Sequence, residues 1–166
     1  AIVPTAAEAV RNRDSHYPYR FDSYFYYLTG FKEDNACLMI VKKKKKFTTV
    51  LFVEKKDVTK ELWTGKRLGC VGAREKFAVD EVYEIDLLEE MFLNNIDLKQ
   101  HLYFDFKLNY LRFKALKRFS KGINTHINVA KLIEKMRLIK SSAEIKLIKK
   151  AITITKEAHH EAMKLH

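Results

Sequence analysis

The sequence predicts an α/β fold, a mixed β-sheet flanked by helices on both faces and followed by a long C-terminal linker helix. Two observations predict the sheet: short apolar runs alternate with helix-type segments, and two of the runs are separated by only a few lysines. So short a connection joins antiparallel strands, which excludes a purely parallel sheet. A helix-start signal at Ser141, followed by apolar residues at helical spacing, predicts the terminal helix.

The first third of the chain predicts most of the strands. Residues 1–3 indicate a short strand and residues 6–11 a helical turn. Residues 24–29 indicate a half-buried strand, because aromatic and β-branched side chains suit a pleated surface, and Gly30 after them supplies the freedom in φ that a turn needs. Two further runs, residues 36–41 and 47–53, predict a hairpin with a solvated tip of five lysines at residues 42–46.

The middle of the chain predicts helices between the later strands. Thr59 is a candidate N-cap for a helix that carries Leu62 and Trp63. The remaining expectations follow in chain order: a bend at Gly69 and Gly72, a helix over residues 73–77, a strand over 81–85, a helix over 87–93 capped by Asp86, a strand over 101–104, and a helix over 108–119 that Gly122 ends.

The last stretch predicts one long helix to about His166. Ser141 and Glu144 have the spacing of a capping box, in which each side chain accepts a hydrogen bond from the other residue's amide. Residues at intervals of three and four form one stripe on this helix: Ile145, Ile148, Ile152, Thr155, His159 and Ala162. A helix of about 25 residues spans ~38 Å, longer than a small domain needs. Without a partner domain, the stripe is expected to be exposed, swapped or buried in a dimer.

Composition limits the class of protein. A chain of 166 residues with 47% hydrophobic content suits one domain with a core. Cys37 and Cys70 form neither a disulfide framework nor a metal-ligand spacing, which favours a reducing, cytoplasmic compartment. No apolar run approaches the ~20 residues of a transmembrane helix, so no membrane is expected as a partner. Because the chain opens on Ala-Ile-Val without Met, we expect an excised piece of a longer protein.

Charge raises a nucleic-acid function as an alternative. The net charge of +11 and the five lysines favour it. However, single-strand binders interleave basic and aromatic residues, and the lysine tip has no aromatic neighbour before Phe47. A nucleic-acid binder would also lose affinity steeply with salt.

No autonomous active site is predicted. His159, His160 and Glu161 are adjacent, but successive helical residues diverge by about 100°. The sequence contains no H-E-x-x-H, no nucleophile elbow and no phosphate-binding loop.

Four stretches in fixed order carry a resemblance to a known family. They are RNRDSHYPYRFDSYFYYLTGF at residues 11–31, DVTKELWTGKRLG at 57–69, REKFAV at 74–79 and MRLIKSSAEIKLIKKAITITKEAHHEAM at 136–163. Together they resemble the N-terminal domain of the Xaa-Pro aminopeptidases (aminopeptidase P) in the creatinase/prolidase superfamily.

The resemblance implies a division of labour along a longer chain. Residues 1–138 would be the N-terminal domain, and residues 139–166 the linker and first helix of an absent catalytic domain. Two manganese ions would be held there by two Asp, one His and two Glu downstream of this chain, so the fragment alone is expected to be inactive. The parent would release the N-terminal residue from peptides with proline at position 2, as a dimer or tetramer. The alternative is a stand-alone, non-enzymatic interaction module with the same fold.

The resemblance also implies residues that line the substrate cleft. Trp63 could stack on a proline ring, and the alternative is a core tryptophan at a helix end. Asp14 could contact a substrate ammonium or the metal shell, and the alternative is an ion pair with Arg11, Arg13 or Arg20. Arg20 is expected to brace its loop through a bidentate partner. The family's arginine after the last domain helix has only Lys121 as a counterpart, so its role is not carried over.

Overall fold

A computed structural model describes residues 1–96, 101–106, 123 and 125–165. The chain forms two compact units, residues 1–130 and residues 131–166. The elements of the first unit follow one another in this order: β1 (Ile2–Pro4), β2 (Val10–Asn12), β3 (Ser15–His16), α1 (Ser23–Thr29), β4 (Cys37–Lys43), β5 (Lys46–Val53), α2 (Val58–Thr64), α3 (Gly69–Lys76), β6 (Glu81–Glu84), α4 (Leu88–Asn95), β7 (Leu102–Phe104) and β8 (His126–Asn128).

The main sheet has the strand order β1-β4-β5-β6. β1 and β5 both pair antiparallel with β4, whereas β6 pairs parallel with β5. A parallel pair requires a crossover connection, and α2 and α3 supply it between β5 and β6. The predicted mixed sheet is therefore confirmed. The strands β7 and β8 form a separate parallel pair.

Helices cover both faces of this sheet. Four consecutive residues of β5, Val50 to Val53, are buried, so neither face of that strand is open to solvent. On one face, Val50 and Phe52 join a cluster with Leu88 and Phe92 from the α4 region. α1 contacts β1 and β4, and α3 contacts β5 and β6. The core thus lies in two layers, one on each side of the sheet.

The lysine-tipped hairpin is confirmed. β4 and β5 pair from Cys37 opposite Phe52 out to Lys43 opposite Lys46. Lys44 occupies the turn with φ of 55°. Such a left-handed position is uncommon for a residue with a side chain, and here the tight turn requires it.

Two predictions for the N-terminal third are wrong. Residues 24–29 form helix α1, not a strand, because both ends of the segment are capped. Asp22 accepts hydrogen bonds from the amides of Tyr24 (2.9 Å) and Phe25 (2.8 Å), and Gly30, with φ of 70°, donates its amide to the Tyr26 carbonyl. Residues 6–11 are not a helical turn, because β2 begins at Val10 and pairs with β3.

The predicted ends of the later helices need correction. Asp57, not Thr59, caps α2, since its carboxylate accepts from the amides of Thr59 and Lys60. α3 begins at Gly69, so there is no separate bend before it. A 3-10 turn over Ile85–Leu87 precedes α4, so the N-cap position of α4 is Leu87 and not Asp86. The helix predicted over residues 108–119, and Gly122 with it, lies outside the described residues.

The second unit contains most of helix α5 (Val129–Leu138) and helix α6 (Ser142–Lys164). The capping box is confirmed: the Ser141 amide donates to Glu144 Oε2 (2.7 Å), and the Glu144 amide donates to Ser141 Oγ (3.3 Å). Helix α6 has no buried residue. No helix in the described ranges is both long and apolar enough to span a membrane. The assignment of residues 139–166 to a following domain stays a prediction.

Candidate functional site

Helix α2 presents Trp63 to solvent. The helix begins at the Asp57 cap and ends where the Gly65 amide donates to the Glu61 carbonyl, and it contains no buried residue. Trp63 is 90% exposed and its neighbour Leu62 is 81% exposed. The alternative of a core tryptophan is therefore wrong. Two large apolar side chains on a short exposed helix are available for contact with a ligand or another surface.

A polar network holds the segment that follows α2. The Arg67 guanidinium forms an ion pair with Asp34, and the Arg67 amide donates to Glu61 Oε1 (2.9 Å). The next amide, that of Leu68, donates to Glu33 Oε1 (3.0 Å). The network therefore joins the α2–α3 connection to the loop before β4.

The ion pair of this network is largely shielded from solvent. The side chains of Arg67 and Asp34 retain only 16% and 17% of their exposure. The hydrogen bond to Asp34 raises the pKa of the Arg67 guanidinium, an effect that burial opposes and the carboxylates of Glu33 and Glu54 reinforce. The arginine of W-x-G-x-R-x-G is the one sequence signal of this network. Its ion-pair partner Asp34 lies 33 residues earlier in the chain, so the sequence does not predict the pair.

Asp14 and Arg20 lie on an exposed surface of the N-terminal segment. Asp14 occupies the turn of the β2–β3 hairpin, and Arg20 lies between that hairpin and α1. Among the described residues, neither side chain forms a hydrogen bond or an ion pair, so the expected bracing by Arg20 and the alternative ion pair of Asp14 are not observed. No described contact brings Trp63, Asp14 and Arg20 together.

Tyr19 anchors the loop that carries Arg20. Its hydroxyl is 2.8 Å from the hydroxyl of Thr5 and donates to the Ala6 carbonyl (3.2 Å). Burial raises the pKa of the Tyr19 hydroxyl, the main cause of its shift. The aromatic segment is thus a loop braced by a tyrosine hydroxyl, followed by a helix. Of its rings, Phe25 and Phe31 are the fully buried ones.

The described residues offer no metal-binding cluster. No group of three or more His, Cys, Asp or Glu side chains in the described ranges lies close enough to hold an ion. His159 and His160 lie on the exposed helix α6. Cys37 and Cys70 are free thiols, and burial raises the pKa of each, which keeps both protonated and unreactive at neutral pH.

The fold is a mixed α/β domain. Its candidate residues are exposed and lie outside the main sheet: Trp63 in the β5–β6 crossover, Asp14 on the β2–β3 hairpin and Arg20 on the loop before α1. The family model "Aminopeptidase P, N-terminal domain" matches residues 1–103. The chain therefore belongs to the aminopeptidase P N-terminal domain family, which confirms the resemblance seen in the sequence.

Curated relatives and solved structures agree with this assignment. The Xaa-Pro aminopeptidases of Escherichia coli K12 and Haemophilus influenzae are 36% and 33% identical over 98% and 94% of this chain. The chain covers 40% and 36% of their lengths, so it spans about two fifths of these relatives. The structure of E. coli aminopeptidase P with the inhibitor Pro-Leu superimposes with a TM-score of 0.85 at 32% identity, over 95% of this chain and 38% of that one. Proline aminopeptidase P II from Yersinia pestis gives 0.82 at 35% identity, over 98% and 40%.

Proposed function

We propose that this chain is the non-catalytic N-terminal part of a manganese-dependent Xaa-Pro aminopeptidase. The whole enzyme releases the N-terminal residue from peptides with proline at position 2, in the cytoplasm, as a homo-oligomer. The observation that supports this most strongly is the match to Xaa-Pro aminopeptidases along almost the whole of this chain and only two fifths of theirs.

In this proposal the domain forms one wall of the active-site cleft. Trp63 is the principal wall residue, because an indole that is 90% exposed is free to stack on the flat ring of proline and exclude water from it. Asp14 and Arg20 form a charged edge of the same cleft, where a carboxylate attracts the ammonium group of the peptide. Their exposed positions on a hairpin and a loop leave both side chains accessible to a peptide.

The part of the chain that the structure describes contains no site for the metal ions of the whole enzyme. Two adjacent ions need a set of carboxylate and imidazole ligands, and the described residues contain no such set. We place these ligands in the part of the parent that this chain does not cover.

The division of labour is tested by two preparations assayed side by side. The 166-residue chain and the full parent protein are incubated with Mn²⁺ and an X-Pro peptide, and release of the first residue is measured. We expect release by the parent alone. Release by the pure fragment would contradict its non-catalytic role. A parent that lacks the five predicted Asp, His and Glu ligands would support the stand-alone interaction module.

The role of Trp63 is tested in the parent by Trp63→Ala. Loss of one stacking contact, worth about 0.5–1.5 kcal/mol, should lower kcat/KM for X-Pro peptides about 2- to 10-fold. Trp63→Phe keeps an aromatic face and should retain most of the activity. Leu62→Ala is the matched control, since this neighbour is 81% exposed and successive helical residues point about 100° apart. Equal kcat/KM in all three variants would refute the stacking role.

A further inference from the structure

Helix α2 has little apolar packing to hold it in place. All its residues except Glu61 are exposed, and none is buried. Helices of this length are unstable alone in water and depend on tertiary contacts. The direction in which Trp63 points must therefore be fixed by something other than a hydrophobic face.

Lys56 and Gly69, which lie before and after the α2 segment, are in close contact. Gly69, with φ of 60°, lies so close to Lys56 that a methyl group on it would come within 3.0 Å of Lys56 Cβ. The residues before and after the helix thus meet at one point. A loop closed only at its base can still swing about that base, so a second attachment is needed to fix its direction.

Arg67 provides that second attachment. Its guanidinium forms an ion pair with Asp34, its own amide donates to the Glu61 carboxylate from the middle of α2, and the following amide, that of Leu68, donates to Glu33. Residues 67 and 68 therefore join the helix to two consecutive acids of another loop, and Asp34 is the one that the Arg67 side chain binds. An ion pair whose two side chains are both largely buried is screened less by solvent than an exposed pair.

We propose that Arg67 is a positioning residue, which through Asp34 and Glu61 fixes α2 and so orients Trp63. The effect on peptide cleavage rests on the function proposed above, whereas the effect on α2 does not. Arg67 is not itself placed in contact with substrate.

The first test measures the order of α2 in the 166-residue chain by ¹⁵N relaxation. Trp63 is the only tryptophan, so its indole N–H gives a single assignable signal. In Arg67→Gln, we expect the order parameters of the amides of residues 58–65 to fall from about 0.85 to below about 0.6, with those of β4 and β5 unchanged. Lys66→Gln is the matched control, because it removes an adjacent exposed cation, and it should leave these values as in the wild type. Unchanged α2 order in Arg67→Gln would overturn the proposal.

The second test asks whether Asp34 and Arg67 act as one unit. Asp34→Asn should loosen α2 as Arg67→Gln does, and the double variant should be no looser than either single one. Asp34→Asn also serves if Arg67→Gln fails to fold, because it keeps the guanidinium. Additive effects of the two substitutions would overturn the pairing.

The third test separates the positioning role from the proposed function. In the parent, Arg67→Gln should lower kcat/KM by about the same factor as Trp63→Ala, and the double variant should be no worse than Trp63→Ala alone. If α2 loosens while Trp63→Ala retains full activity, the positioning role stands and the proposed wall function falls. A further loss in the double variant would show that Arg67 acts independently of Trp63 and would overturn its positioning of that residue.

Discussion

The stability of the first unit should depend strongly on Phe31, which follows the C-cap of α1. Its side chain is fully buried, and its ring meets two others edge-on. The ring centres of Phe31 and Phe25 lie 6.3 Å apart at 88°, and those of Phe31 and Phe77 lie 5.3 Å apart at 66°. Phe31 thus joins α1 to the end of α3. We therefore consider the substitution Phe31→Ala.

The expected cost follows from the cavity and the lost ring contacts. Truncation of a buried phenylalanine to alanine costs about 3–5 kcal/mol, and the fully buried position with two edge-on neighbours places Phe31 towards the upper end, about 4–5 kcal/mol. Domains of this kind have a free energy of unfolding of about 5–15 kcal/mol. The variant should therefore lose between about a third and nearly all of its free energy of unfolding.

The measurement is urea-induced unfolding followed by far-ultraviolet circular dichroism. Phe47→Ala is the matched control, since Phe47 is 59% exposed. Its ring centre lies 5.3 Å from the Lys42 ammonium nitrogen, a cation–π contact. Its loss should cost less than about 1 kcal/mol. If Phe31→Ala does not fold, Phe31→Leu gives a measurable value of about 1.5 kcal/mol or less. A cost for Phe31→Ala below about 2 kcal/mol, or equal to that of Phe47→Ala, would refute the reasoning.

Three further predictions concern capping, backbone conformation and pH. Asp22→Ala should cost about 1 kcal/mol in urea unfolding and Asp22→Asn much less, because asparagine still caps the helix; equal costs would contradict the cap. Gly30→Ala should cost about 1 kcal/mol because alanine disfavours φ of 70° although space is available, and a neutral result in the same assay would contradict this. Hydrogen bonds from the Thr49 hydroxyl and amide lower the pKa of Asp80 from its ordinary value of 3.8. The unfolded chain therefore takes up this proton first as the pH falls, so the contribution of Asp80 to stability is present above about pH 4 and is lost below it. When the free energy of unfolding is measured as the pH is lowered, Asp80→Asn should lose less stability than the wild type. Parallel dependence on pH in the two proteins would contradict the assignment.

Local signals predicted some elements well. The capping box at Ser141 and Glu144 and the lysine-tipped hairpin are specified by residues close together in sequence, and both are confirmed. Residues 24–29 show the limit of residue type as a guide. Their aromatic composition favours a strand, but Asp22 and Gly30 cap both ends of the segment as a helix, and the caps decide the outcome.

The sequence proposes Trp63, Asp14 and Arg20 as candidate site residues, but it does not predict how they are arranged. Trp63 was identified from the sequence, yet its exposure depends on how α2 is held. That depends on Arg67 meeting Asp34, 33 residues earlier in the chain. No periodicity or short spacing encodes such a contact, because it forms only after β4, β5 and the crossover are in place.

The lysine tip has a consequence for solubility. Hydrogen bonds join β1 to β4 as far as the Ala1–Ile40 pair, and the hairpin continues beyond that point to Lys43 and Lys46. A projecting two-stranded ribbon offers its outer backbone groups to any strand of another molecule, the usual first step of aggregation. Five consecutive positive charges at its end oppose that approach by mutual repulsion between copies. We therefore expect the tip to oppose edge-to-edge pairing between copies of the hairpin, an effect that should weaken as salt screens the charges.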